Sequence, residues 1–219
     1  MMRQFRNRVE AGRLLARRLM KYADRSDVLV LALPRGGVPV AYEVAQALNA
    51  PLDVFVVRKL GVPGYEELAM GAIASGGVRV LNSSVVESLG ISEETIEVVA
   101  VRELRELQRR ERACRHDLPS PDVQGCTVIL VDDGIATGST MRAAIQALRH
   151  LKAARIVVAV PTASFSTVRE MRSEVDELVA VMMPVDFSGV GQWYQDFSQT
   201  TDEKVRELLG RGSPISNPI

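Results

Sequence analysis

The apolar positions of this chain fall into two rhythms. Between residues 9 and 22, Val9, Leu14, Leu15, Leu19 and Tyr22 recur at the spacing of one helical face, with arginines on the other sides. The next run, DVLVLAL at 27–33, is apolar without alternation, as in a strand covered on both faces. The two patterns then trade places along the chain. AYEVAQALN reads as a helix ending at Asn49, and LDVFVVRK (52–59) as a second strand. AMGAIAS and VRVLN, parted by Gly76 and Gly77, read as a hairpin. A long charged helix follows over 92–117, opened by Ser92, its acids early and its arginines late in the sense that suits the helix dipole. CTVILVD (126–132), RIVVAVP (155–161) and VDELVAVMMP (175–184) read as strands, with helices over 139–151 and 165–172 between them. A last helix covers about 201–209, where Gly210 is expected to stop it, and 211–219 are expected to fray.

Buried strands alternating with helices predict an α/β fold, a mostly parallel sheet flanked by helices. Ligands of such sheets bind beyond the carboxyl ends of the strands. Three loops fall there: PRGGVP, RKLGVPG and DDGIATGST.

Composition narrows the picture. The 219 residues suit a single domain spanning 1–219, and the 47% apolar content supplies a sizeable core. With 27 basic and 27 acidic side chains, net charge gives no reason to expect nucleic acid or a membrane surface as a partner. Cys114 and Cys126 share no metal-ligand spacing with each other or with His116 and His150, so they are expected to be reduced thiols of a cytoplasmic protein. The first twenty residues lack the apolar centre of a signal peptide, and no stretch approaches the ~20 apolar residues of a membrane span.

The chemistry concentrates in VILVDDGIATGSTM, residues 128–141. Its small residues lead into a helix, where unpaired backbone N–H groups collect. Thr137, Ser139 and Thr140 add hydroxyls, more than one helix cap requires. Such a loop suits a phosphate. Asp132 and Asp133 would repel one placed against them. Carboxylates only accept hydrogen bonds, so the pair suits a vicinal diol, and a sugar phosphate offers both features. The nucleotide P-loop is excluded, because no lysine precedes Thr140, and the dinucleotide pattern G-x-G-x-x-G is absent. The order of acceptor aspartate and lysine used by phosphorelay receivers is not found either.

VILVDDGIATGSTM resembles the phosphoribosyl pyrophosphate (PRPP) signature of the type I phosphoribosyltransferases, and LALPRGGVPVAYEVAQAL (31–48) is similar to their pyrophosphate loop. The resemblance covers about residues 27–200, and the whole chain is similar to bacterial proteins known only as predicted phosphoribosyltransferases. It implies transfer of 5-phosphoribosyl from PRPP to a nitrogen acceptor, usually a nucleobase, with Mg²⁺ as cofactor and pyrophosphate released. Carried over, Asp132 and Asp133 are catalytic residues gripping the ribose diol and helping to balance a nearby Mg²⁺, with no direct metal ligand assigned. Ala136, Thr137, Gly138, Ser139 and Thr140 cradle the 5-phosphate; Arg35, Gly36 and Gly37 meet the pyrophosphate.

Lys59, read as the end of the second strand, is a candidate to neutralise departing pyrophosphate or an ordinary surface lysine. An insertion over about 60–120 contains GVPGYEELAMG (61–71), a closing segment with Tyr65 as a lid contact, and the long helix, which covers the site or makes a homodimer contact. A hood over about 184–200, with contributions from the N-terminus, offers Phe187, Trp193 and Tyr194 to stack a base, unless these aromatics simply pack. Ala136 stands where the 6-oxopurine enzymes carry aspartate, so the loop is closer to the adenine and uracil enzymes. The alternative to an enzyme is a PRPP-sensing regulatory protein without turnover; an assembly protein built on the long helix leaves both anion loops unexplained.

Overall fold

A computed structural model describes residues 4–115 and 121–211. Helix α1 (Arg8–Leu19) opens under the cap of Asn7, whose side chain accepts from the Glu10 N–H, and buries Ala11, Leu15, Ala16 and Leu19. This face is rotated from the expected one: Val9 is exposed. Strand β1 (Val28–Ala32) is buried throughout. Helix α2 (Gly37–Leu48) starts inside the PRGG turn and ends at Asn49, which takes the left-handed conformation at φ 52°. Strand β2 is short, Leu52–Val54.

The run at 52–59 is therefore not one strand. Phe55 donates its N–H to the Ala32 carbonyl, while the Val56 N–H turns to the Ser75 hydroxyl at 2.9 Å, so the chain crosses into another sheet. There β3 (Val57–Val62), β4 (Tyr65–Ala74) and β5 (Val78–Leu81) pair antiparallel in sequence order. The expected hairpin across Gly76 and Gly77 is β4 with β5. A short helix α3 (Ser83–Ser88) leads to α4 (Glu93–Arg115), which packs Ile96, Val99, Ala100 and Leu107 on this small sheet. Arg58 grips Glu103 at 2.6 Å, and Arg115 at the far end of α4 holds Asp53 of β2 at 2.9 Å, both pairs largely out of water. The last two residues of the expected helix, 116 and 117, lie outside the described residues, as do 212–219.

The chain then re-enters the central sheet with β6 (Thr127–Val131), α5 (Ser139–His150), β7 (Arg155–Thr162), α6 (Phe165–Met171) and β8 (Glu177–Met182). Among the described residues this sheet has five strands, all parallel, in the order β2-β1-β6-β7-β8. Side chains of α1 and α2 share one core with its first face, and those of α5 and α6 share another with the second, as the α/β expectation required. Helix α7 (Asp202–Arg211) adds Val205 and Leu208 to the first core and runs through Gly210 instead of stopping before it. Among the described residues no helix is long and apolar enough to cross a membrane.

The sheet order locates the site. From β1 the chain steps to β2 on one side, and β6 later takes the other side. Loops leaving β1 and β6 diverge there, and the crevice between them is where doubly wound sheets bind ligands.

Candidate active site

The two loops leaving β1 and β6 are in contact. The Leu33 N–H donates to the Val131 carbonyl at 2.8 Å, and the Gly37 N–H returns to the Leu33 carbonyl at 3.1 Å. The peptide between Pro34 and Arg35 is cis. Gly36 faces the carboxylate of Asp133 so closely that a methyl group would collide with it. On Gly37 a methyl group would lie 2.7 Å from the Val131 carbonyl oxygen and 2.9 Å from the Asp132 α-carbon. Gly36 leaves room for the Asp133 carboxylate, and Gly37 lets one backbone approach another.

Asp132 and Asp133 lie deep in this contact. Asp132 Oδ1 accepts the Asp133 N–H at 2.8 Å. Burial holds both carboxyls above the ordinary carboxylate range, Asp132 well above it, and for Asp132 the neighbouring Asp133 charge adds to the effect. Arg8 counters the rise at Asp133. This first residue of α1 sends Nε and Nη2 to Asp133 Oδ2, each at 2.8 Å, and Nη1 to the Ser198 carbonyl at 2.8 Å. Its guanidinium lies 4.0 Å over the Phe197 ring, a cation–π arrangement. The sequence reading missed Arg8, which is 125 residues from its partner.

The small-residue loop after the aspartates is held from outside. The Ile135 N–H donates to the Thr162 carbonyl at 2.9 Å. The Thr167 hydroxyl donates to the Ala136 carbonyl at 2.6 Å, and Arg142 to the Thr137 carbonyl at 2.9 Å. Gly138 sits at φ 76°, where side chains are strained, with Met171 and Thr167 against it. The carbonyls are thus turned away and engaged. Among the described residues, the N–H groups of Ala136 to Thr140 show no backbone partner. No side chain caps α5, and the Thr137 and Ser139 hydroxyls lie 3.3 Å apart beside it. This is the geometry of an anion site at a helix N-terminus.

The remaining expected residues divide. Arg35 projects into a cavity of about 570 Å³ that it shares with Gly36, Asp133 and Phe197, and its guanidinium holds Asp202 of α7 at 2.7 Å. A larger groove of about 700 Å³ runs past Val98 and Arg105 on the outer face of α4 and contains no residue of the loops described above. Lys59 does not end a strand of the central sheet: it lies within β3, and its ammonium donates to the Glu67 carbonyl at 3.1 Å. Tyr65, 73% exposed, begins β4 at the turn of the β3–β4 hairpin, which contains the expected closing segment.

Tyr194 is a correction. Its ring is buried between Phe5 and Phe197, and its hydroxyl donates to the Asp133 carbonyl at 2.6 Å, so it buttresses the acid pair and offers no face to a base. Burial pushes its own ionisation well up. Phe187 and Trp193 are both half-buried and stack on each other, with centroids 6.3 Å apart.

Among the described residues no three His, Cys, Asp or Glu side chains converge on a metal-binding point. The acid pair supplies hard oxygen donors. That set fits Mg²⁺ taking most of its ligands from a substrate's own phosphates and from water.

The family model for the phosphoribosyl transferase domain matches residues 4–191. A Mycobacterium tuberculosis protein, provisionally named a phosphoribosyl transferase in two strains, is 46% identical over 210 residues, covering 96% of this chain and 47% of that protein. The chain thus spans about half the length of these curated relatives. A Chloroflexus aurantiacus protein named bifunctional protein PyrR is 33% identical over 130 residues, covering 58% of this chain and 65% of its own. The crystal structure of a Thermus thermophilus protein superposes with a TM-score of 0.84 at 40% identity, covering 96% of this chain and 99% of that one. The chain belongs to the phosphoribosyltransferase family.

Proposed function

We propose that this protein transfers 5-phosphoribosyl from PRPP to a nitrogen acceptor, a nucleobase or similar heterocycle, with release of pyrophosphate. One observation carries the reading: the Arg35-Gly36-Gly37 turn lies directly on the Asp132–Asp133 carboxylates, and the acid pair opens into the loop at the α5 N-terminus. That adjacency supports pyrophosphate, diol and 5-phosphate subsites arranged in PRPP's own order.

The chemistry follows from charge. The N–H groups from Ala136 to Thr140 take the 5-phosphate, and the aspartates accept from the 2- and 3-hydroxyls. Arg35 releases Asp202 and meets the pyrophosphate with charge-assisted hydrogen bonds. Mg²⁺, when bound, offsets the charge that develops on the leaving pyrophosphate. Displacement then passes through an oxocarbenium-like state, and the protein's contribution is orientation and electrostatic stabilisation. With Tyr194 withdrawn into the core, the hood's aromatic surface reduces to Phe187 and Trp193.

A second reading, PRPP sensing without turnover, is favoured by the pairing of Asp133 with Arg8, which occupies one of the two carboxylates of the diol site. One experiment separates the two. Calorimetry with PRPP and Mg²⁺ measures binding; pyrophosphate release is then followed with adenine, hypoxanthine, guanine, xanthine, uracil and orotate in turn. Base-dependent release supports the enzyme. PRPP binding with no release for any base supports the sensor, and no PRPP binding refutes both.

A further inference from the structure

The cavity over Arg35 has a second wall, contributed by none of the loops discussed so far. Arg109 and Arg110, in the last third of α4, line it together with Arg35 and Gly36, with Ala113 and Cys114 one turn further on; Arg109 also borders the outer groove of α4. Both arginines are partly in solvent, 65% and 46% exposed, and both grip Glu106: Arg109 at 2.7 Å and Arg110 at 2.9 Å. The two guanidiniums hold the Glu106 carboxyl down to about 2. Asp202, the partner of Arg35, also acts on Arg109 through its charge. The cavity is therefore lined by four cations, Arg8, Arg35, Arg109 and Arg110, against two anions, Asp133 and Asp202, with Glu106 holding two of the cations from outside the lining.

Stability gives this cluster little reason to exist, because exposed helical ion pairs contribute only about 0.2–1 kcal/mol. Its placement is nevertheless rigid. Arg115 ties the end of α4 to Asp53 on β2, and Arg206 of α7 donates to the Ala113 carbonyl at 2.8 Å. The helix turns that carry the two arginines are thus held relative to the central sheet.

We propose that the carboxyl-terminal part of α4 is a second pyrophosphate-binding wall, with Arg109 and Arg110 meeting the pyrophosphate together with Arg35, and Glu106 holding them in place until it arrives. This rests on the PRPP reading above. It gives the long helical insertion a role in the site itself.

The test is calorimetry, with Mg²⁺ present, using inorganic pyrophosphate, PRPP and ribose 5-phosphate as separate probes. The double variant Arg109→Gln/Arg110→Gln should weaken pyrophosphate and PRPP about tenfold or more, allowing for solvent screening, and leave ribose 5-phosphate within about twofold. Glu106→Gln, which frees the two arginines, should tighten pyrophosphate. Arg105→Gln, on the same helix but not in this cavity's lining, removes half that charge and should change none of the three. The proposal is overturned if the double variant binds pyrophosphate as the wild type does, or loses ribose 5-phosphate to the same degree. It is also overturned if Arg105→Gln matches the double variant's effect. Wild-type protein that binds PRPP while the double variant is unaffected leaves the functional reading standing and removes only the wall. Wild-type protein that binds neither PRPP nor pyrophosphate removes both.

Discussion

Replacing Arg8 by methionine tests the central electrostatic claim about the site. The guanidinium and the Asp133 carboxylate are 11% and 13% exposed and meet at 2.8 Å. Methionine keeps the packing on Phe197 and deletes the charge. Breaking a fully buried pair costs about 3–5 kcal/mol, but here protonation of Asp133 caps the loss, so about 2–3 kcal/mol is expected. For a chain of this size that is a Tm lower by roughly 4–12 °C. Binding responds in its own way. Burial raises the Asp133 carboxyl and Arg8 pulls it down, so the variant's carboxyl moves further up. The ionised form accepts from a diol on both oxygens, and protonation turns one of them into a donor. PRPP affinity should therefore fall most at low pH and recover as pH rises, by about tenfold for each unit the carboxyl has moved. Calorimetry from pH 6 to 9 reads this, and a double-mutant cycle with Asp133→Asn should return a coupling of about 1–3 kcal/mol. A variant with unchanged Tm, or an affinity loss equal at every pH, refutes the reasoning.

Two further outcomes follow from the same carboxylates. Asp132 is held well above the usual range by burial, so the native state binds the extra proton, and stability falls as pH rises from its unfolded value near about pH 4; Asp132→Asn, which still accepts from the Asp133 N–H, should raise the Tm by a few degrees at neutral pH, lose that gain near about pH 4, and abolish PRPP binding. Tyr194→Phe orphans a carbonyl bonded at 2.6 Å and should cost about 1–3 kcal/mol by denaturant unfolding, with no change in the KM for any acceptor; a raised KM would restore Tyr194 to the base site.

What the sequence discloses here is what is contiguous. The five-residue cores of β1 and β6 read as unbroken apolar runs because helices cover both faces, and each anion loop is written in one stretch beside its strand. The failures are places where a distant partner decides. Nothing within LDVFVVRK marks the break after Val54, since the hydrogen bonds that turn the chain come from Ala32 and Ser75. Gly210 carries the stop signal of a helix, but an interior glycine costs only about 1 kcal/mol, and the Arg211–Glu207 pair at 2.9 Å holds the last turn. Arg8 is one of 27 basic residues, and only the fold brings it to Asp133. Tyr194 stands among tail aromatics whose pattern fits a hood and a core equally.

The balanced charge of the chain, which gave no hint of a polyanion, is consistent with such a site because the cations around it are stored with internal anions. Arg35 is held by Asp202, and Arg109 and Arg110 by Glu106. On the proposed reading, PRPP does not enter an empty positive pocket but exchanges partners with these carboxylates. Affinity is then the difference between two sets of ion pairs, and it is smaller than either alone. Asp202 sits on α7 and stays beside Arg35 when displaced, so it competes at a high effective concentration for the group that holds pyrophosphate. The competition weakens substrate and product alike. The same penalty takes a greater share of the binding of pyrophosphate, which has lost the ribose that, on this reading, anchors PRPP to Asp132 and Asp133. A tethered carboxylate at this position therefore favours release of the product over retention, which is what a turnover cycle requires.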